Sequence, residues 1–256
     1  MGKQMREPTL GRQEGANTME INEMLRRYAR GDRSFRGIDL REIALINVNF
    51  SGADFTGADL RQAQLGRADL RATIFNAADL SEALLWGANL TDSQFVRTLL
   101  READLSGANL VAADLSESNL VKTCFNGTNL SKAKFIGAIA IEIDLRPTSD
   151  QRTDLGLADL SGADFSYAQL SGVFMPRANL NGTKLCRANF TTSFRRGFVT
   201  DLSGVSFRGA DLSYANLSGT ILREADFSDA DLTGTNLKGA DLGGAILPNR
   251  IMGDRA

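Results

Sequence analysis

The chain has 256 residues, 29 basic and 31 acidic, a net charge of −2, and no histidine. Balanced charge excludes the strong field expected of a nucleic-acid or membrane-surface binder. The missing histidine removes histidine-based catalytic triads, the usual zinc sites and the commonest general base, and no apolar run is long enough to span a membrane.

Residues 1–17 are polar and mixed in charge, and read as a disordered tail. Ile21, Met24, Leu25 and Tyr28 then recur at i, i+3, i+4 and i+7, one face of a helix over 18–31 that Gly31 would stop. A helix before a repeat reads as a cap, because an open stack of strands exposes unpaired edges.

From Phe35 to Leu247 the chain repeats every five residues. Its centres run unbroken from Phe35 to Leu145, return in phase from Leu155 to Phe190, and shift by two from Leu202 onward. Of 41 centres, 39 are Leu or Phe; Ala140 and Met175 are the exceptions. Two residues before the centre stands a small residue, Ala in 23 quintets and Ser or Thr in 11. Alternation by two puts both on one side of an extended backbone. The residue between them is most often Asp or Asn, and Gly is frequent two after the centre, as turns favour. Five is not a helical period, so a short extended piece followed by a turn is the simplest repeat unit.

Two interruptions break the repeat. Arg146 to Arg152 holds Pro147 and charge where a quintet would stand, and reads as a loop over 146–153 on one side of one coil. Thr191 to Thr200 carries Phe194, Arg195, Arg196 and Phe198, and its phase slip of two demands a bulge over 191–201. Pro248 stops the repeat; Ile251 and Met252 in the tail 248–256 could fold over the last coil.

The quintets quoted in Ala103-Asp104-Leu105-Ser106-Gly107-Ala108-Asn109-Leu110 resemble the pentapeptide-repeat family over residues 33–247. That resemblance implies an all-β right-handed quadrilateral β-helix of about ten coils with a short N-terminal helix. A coil of four quintets would stack centres 20 apart. Phe35, Phe55, Phe75, Phe95, Leu115, Phe135, Leu155 and Met175 would then form one interior column. Leu40 through Leu120, Ala140, Leu160 and Leu180 would form the next, without phenylalanine. Cys124 and Cys186 would lie on one side about 14 Å apart, too far for a disulfide, as suits a cytoplasmic protein.

The aspartates are periodic and read as turn formers, not as a catalytic pair. No cofactor, metal or small-molecule substrate is expected, so function must lie on the surface. Val121 and Ile141, 20 apart, would stack in one outward apolar column with Ile136 and Ile139 beside them, and the segment 135–141 directly precedes the loop with Arg146, Pro147, Asp150 and Arg152. Together with Trp86, the lone tryptophan, they form the candidate partner-binding side. Arg41, Arg61 and Arg101 beside Glu42, Glu82 and Glu102 read as a solvated ion-pair ladder.

Met19 to Gly31 followed by Arg33-Ser34-Phe35 resembles the start of cyanobacterial members of the family, of the type that inhibits heterocyst differentiation. The resemblance implies a non-enzymatic scaffold, monomer or weak dimer, that binds another regulatory protein. Either the loop or the bulge would carry recognition. The alternative, a DNA-mimicking topoisomerase (gyrase)-binding protein, would need about 30 phosphate equivalents along roughly 50 Å, against a net charge of −2.

Overall fold

A computed structural model describes residues 13–192 and 197–248, with side chains from residue 21 onward. Expectations for residues 1–12, 193–196 and 249–256, including Phe194, Arg195, Arg196, Ile251 and Met252, lie outside the described residues. The chain divides into two units, Met1–Arg33 and Ser34–Ala256.

Among its described residues the first unit holds one helix, α1 (Gln13–Ala29). It begins five residues before the expected start, because apolar periodicity marks a buried face and not the length of the helix around it. Residues 13–17 of the expected tail are therefore helical. The C-terminus follows from Gly31, whose φ of 95° lets the Gly31 N–H reach the Tyr28 carbonyl and the Asp32 N–H reach the Arg27 carbonyl. Arg27 then pairs with Asp32 at 2.7 Å.

The second unit is a four-sided parallel solenoid. Its rungs are isolated bridges at the residue before each centre, such as Ser34 with Asp54 and Asp39 with Asp59. We number the faces by their first bridging residues: face 1 at Ser34, face 2 at Asp39, face 3 at Ala44 and face 4 at Asn49. Each quintet closes with a hydrogen bond from the residue three after the centre to the centre's carbonyl, as from Ala58 to Phe55 at 2.9 Å. Positive φ at the residue two after the centre makes these type II turns. Among the described residues twenty-two that are not glycine hold that conformation, so the corner geometry is imposed by stacking and not by glycine alone. Asp and Asn before the centre serve the turn that follows them. Asp54 accepts the Thr56 N–H at 2.9 Å, and Asp79 the Ser81 N–H at 2.9 Å. Buried hydroxyls at the small inward position are satisfied too, as Thr98 donates to the Phe75 carbonyl at 2.7 Å.

The core is the stack of centres. Phe35, Phe55, Phe75 and Phe95 stack on face 1 with ring centroids 5.4, 5.6 and 5.0 Å apart. Each ring leaves water completely or nearly so, and burying such a side chain contributes about 1.5–3 kcal/mol.

The 20-residue coil holds up to Asp144 and fails twice after it. Asn129 pairs with Asp154, 25 positions on, and Phe174 pairs with Asp201, 27 positions on. The loop at 146–153 is thus an added quintet and does not replace one. Every later centre moves round by one face. Phe135 is followed by Leu160, not Leu155, and further along face 1 Phe207 stacks on Phe227 at 4.9 Å, one rung before Leu247. Ala140 on face 2 is followed by Phe165, whose ring reaches Phe135 edge-on at 5.8 Å. A large residue thus follows the one small centre, and the second column does contain phenylalanine. The same shift puts Cys124 on face 3 and Cys186 at the corner after face 2, not on one side; both are free.

Arg41 and Arg61 of the arginine ladder pair with aspartates rather than the neighbouring glutamates, whereas Arg101 forms no ion pair among the described residues. Arg41 bonds Asp39 at 2.6 Å and lies 3.6 Å from Asp59; Arg61 repeats this with Asp59 and Asp79. Hydrogen bonds from the Arg41 side chain and backbone hold the Asp39 carboxyl down at about 2. The bond from Arg61 lowers Asp59 in the same direction. A depressed carboxyl stabilises the fold above its unfolded value near 4, and that contribution is lost as pH falls through about 2. The double substitution Arg41→Ala, Arg61→Ala is expected to lower the urea midpoint at neutral pH. The deficit should shrink between about pH 4 and about pH 2. A deficit of constant size across that range would contradict this account.

Candidate functional site

Both insertions leave the solenoid at the same corner. The first follows Asp144 on face 3 and ends at Asp154 on face 4; the second follows Asn189 on face 3 and ends at Asp201 on face 4. One plain coil, with Ser171 and Gly172 at its corner, lies between them. Two interruptions 45 residues apart in sequence are therefore neighbours on one edge.

They are closed by the same device. In a plain coil the corner N–H donates to the next coil's corner carbonyl, as Gly107 does to Asn126 at 2.8 Å. The first insertion leaves Gly127 a longer bond of this kind, 3.2 Å to the Arg146 carbonyl, and the second leaves Gly172 none among the described residues. The buried Thr153 hydroxyl takes the Gly127 N–H at 2.9 Å, and the buried Thr200 hydroxyl takes the Gly172 N–H at 2.7 Å. Thr148 folds back over Gly127, where a Cβ would stand 2.7 Å from its methyl group.

Arg152 ties the two insertions together. Its guanidinium donates to the Gly172 carbonyl at 2.9 Å, to the Val173 carbonyl at 2.8 Å, and to the Val199 carbonyl of the second insertion. It also lies 4.9 Å from the ring centroid of Phe174 on face 4. Burial lowers its pKa from the usual arginine value, with partial relief from Asp201 and Asp154. Arg152 thus acts as a strut within the site.

The other expected site residues divide by corner. Asp150 is exposed at the loop tip. Arg146 is exposed but bound to Asp144 at 2.6 Å. Burial pushes the Asp144 carboxyl up, yet hydrogen bonds from Arg146 and Asn126 outweigh it and the net shift is downward. Pro147 is buried. Trp86 stands on the insertion corner, three coils earlier, or about 14 Å. It covers Gly66, where any Cβ would meet the indole at 2.5 Å, and Arg67 lies 5.0 Å from its ring. The isoleucines are elsewhere. Ile136 is at the corner after face 1, diagonally across the coil from the insertions. Ile139 is on face 2, and Val121 and Ile141 are half-buried at the corner after face 2. The structure does not bring them to the loop.

Sequence reasoning missed the surface that adjoins the insertions. Eight of the ten bridging positions of face 4 are Asn or Asp; the others are Phe174 and Ile221. Beyond face 4, at the next corner, Leu157, Pro176, Arg177 and Ser203 line an open groove of about 500 Å³. Leu157 is 55% exposed. The signal was in the outward slots of face 4, but it needed the 25-residue coil to be seen. Among the described residues no cluster of His, Cys, Asp or Glu could hold a metal ion, and no helix is long and apolar enough to cross a membrane.

The chain belongs to the pentapeptide-repeat family. The family pattern matches residues 34–71, 78–116, 93–131, 113–146, 153–191, 200–239 and 210–249. No match bridges 147–152 or 192–199, the two insertions. The fold is the family's right-handed quadrilateral β-helix. The chain is similar to HetL, a pentapeptide repeat protein involved in heterocyst differentiation regulation from the cyanobacterium Nostoc sp. strain PCC 7120. The two share 51% identity over 89% of this chain and 97% of HetL, with a TM-score of 0.88. The Nostoc PCC 7120 protein alr5209 is 36% identical over 39% of this chain and 79% of its own, at a TM-score of 0.37. QnrB1, a plasmid-mediated fluoroquinolone resistance protein, is 20% identical over 81% of this chain and 90% of its own, at a TM-score of 0.43. No curated protein matches the chain.

Replacing Thr200 by Val should leave the Gly172 N–H without its partner and cost about 1–3 kcal/mol, read as a lower chemical-denaturation midpoint. Thr153→Val should cost less, because the Gly127 N–H also reaches the Arg146 carbonyl at 3.2 Å. Equal costs, or none, would contradict the closing role.

Proposed function

We propose that this protein is a non-enzymatic, cytoplasmic interaction scaffold that binds another regulatory protein in the control of heterocyst differentiation. The observation that carries the reading is the placement of both insertions on one corner, tied by Arg152. Irregular segments on a rigid scaffold are where recognition concentrates. Two insertions held in fixed relation offer a larger contact than either alone. Their surface continues across Phe174 to the groove at Leu157, Pro176 and Arg177. The likeness to HetL, through nearly all of HetL's length, supports the biological setting.

A DNA-mimicking, topoisomerase-binding role is less well supported. A mimic needs uncompensated carboxylates at phosphate spacing, whereas Asp39, Asp59 and Asp79 on face 2 are bonded or approached by Arg41 and Arg61.

The test is overexpression in a filamentous, heterocyst-forming cyanobacterium deprived of combined nitrogen. The intact protein should change heterocyst frequency. A variant with five residues removed from 146–152, so that Leu145 and Leu155 stand one quintet apart, should not, although it folds. Ile139→Asp, on the distant face 2, should act like the intact protein. A trimmed variant as active as the intact one would overturn the site, and no effect of the intact protein would overturn the function.

A further inference from the structure

We infer that the groove beside face 4 binds an extended acidic segment of a partner protein, with one apolar side chain between two carboxylates. This deepens the scaffold reading and rests on it.

Lys132, Leu157 and Arg177 occupy the same corner position on three successive coils. The Lys132 N–H bonds the Gly156 carbonyl at 2.9 Å, and the Leu157 N–H bonds the Pro176 carbonyl at 3.0 Å. Each stands at positive φ, 61°, 60° and 57°, and each is exposed. Of the 22 non-glycine residues in that conformation, 19 are charged, amides or alanine; the others are Leu157, Tyr167 and Tyr214. A bulky apolar residue in the left-handed region is disfavoured by its backbone. At 55% exposure Leu157 regains little by burial. Neither packing nor turn formation accounts for a leucine there.

The flanking cations are uncommitted. Neither Lys132 nor Arg177 forms an ion pair among the described residues, whereas Arg223, further along the same corner, is held by Asp241 at 2.6 Å. The near carboxylates are occupied by their own turns. Asp154 accepts the Gly156 N–H at 2.7 Å, and Asp159 accepts the Ser161 N–H and the Asn179 amide, each at 3.0 Å. The Arg177 stem lies over Gly204, with 3.3 Å to the point where a Cβ would stand, and Gly204 and Ser203 leave the floor shallow. Glu224 closes the far end of the groove with negative charge, which sets the end at which the acidic segment must stop. Two coil steps separate Lys132 from Arg177, about 10 Å, close to the rise of three residues in a polyproline II chain, whose three residues per turn bring side chains three apart to one side. A chain with carboxylates three apart and an apolar residue between them fits cation, leucine and cation in order.

The probe is a fluorescein-labelled decapeptide with the central sequence Glu-Leu-Ser-Glu, titrated against the intact protein by fluorescence anisotropy. Controls carry Lys-Leu-Ser-Lys or Glu-Ser-Ser-Glu at the centre. Lys132→Gly with Arg177→Gly, and separately Leu157→Gly, remove the side chains at positions where glycine's free access to positive φ keeps the fold unstrained. Expected is saturable, salt-weakened binding of the Glu-Leu peptide, at least about tenfold weaker to either variant and for either control peptide. No binding by the intact protein, equal binding of the lysine peptide, or equal binding by the variants would overturn the inference. If the peptide fails while trimming 146–152 still abolishes the effect on heterocyst frequency, the scaffold reading stands without this groove. If the peptide binds as expected and the trimmed variant remains fully active, the insertion site falls and the groove stands.

Discussion

Everything in this molecule depends on the hydrogen bonds that hold each coil to the next. They run from every face and every corner, and they are made only if the backbone turns through a left-handed residue once per quintet. That requirement fixes the unit of construction. A side is five residues, and any departure must leave the ladder, find new partners for the amides it strands, and rejoin on the same rung. Local sequence choices serve this end: Asp or Asn to accept the turn N–H, a small residue to let the coil close, Leu or Phe to fill the interior.

The insertions show how such a ladder tolerates irregularity. An unpaired buried amide costs about 1–3 kcal/mol; the second insertion takes the backbone acceptor from Gly172, and the first leaves Gly127 with a bond lengthened to 3.2 Å. A buried threonine hydroxyl answers in both cases. Loop closure itself is cheap, so the penalty lies in the ladder, and once the ladder is satisfied the excursion is free to carry function. Arg152 adds a second constraint by joining the two excursions through backbone carbonyls, which makes their relative position independent of the side chains around them.

Much of this was legible in the residues. The quintet, its inward and outward slots, the turn role of Asp and Asn, and the helix stop at Gly31 all follow from spacing and composition. The register after Leu145 did not. An insertion of five residues is silent in a five-residue repeat, because the phase on either side is the same whether a quintet is replaced or added. Only the 20-residue column distinguishes them, and the residues that mark it are Ala140 and Phe165, a vacancy and its filling. The second insertion declared itself by its phase slip, yet its nearness to the first rests on two coil lengths, 25 and 27, that no local pattern gives. The isoleucines precede that shift, and the plain 20-residue coil already sets them one or two corners away from the loop; the shift itself concealed Phe174, Leu157 and Arg177 beside it.

The central claim is that two sequence-distant insertions are one mechanical unit joined by Arg152. Amide hydrogen exchange of the intact protein against Arg152→Ala tests it directly. The account predicts that segments 146–153 and 197–200 lose protection together, while the coils between residues 34 and 126 keep theirs. Loss confined to 146–153, with 197–200 unchanged, would contradict it.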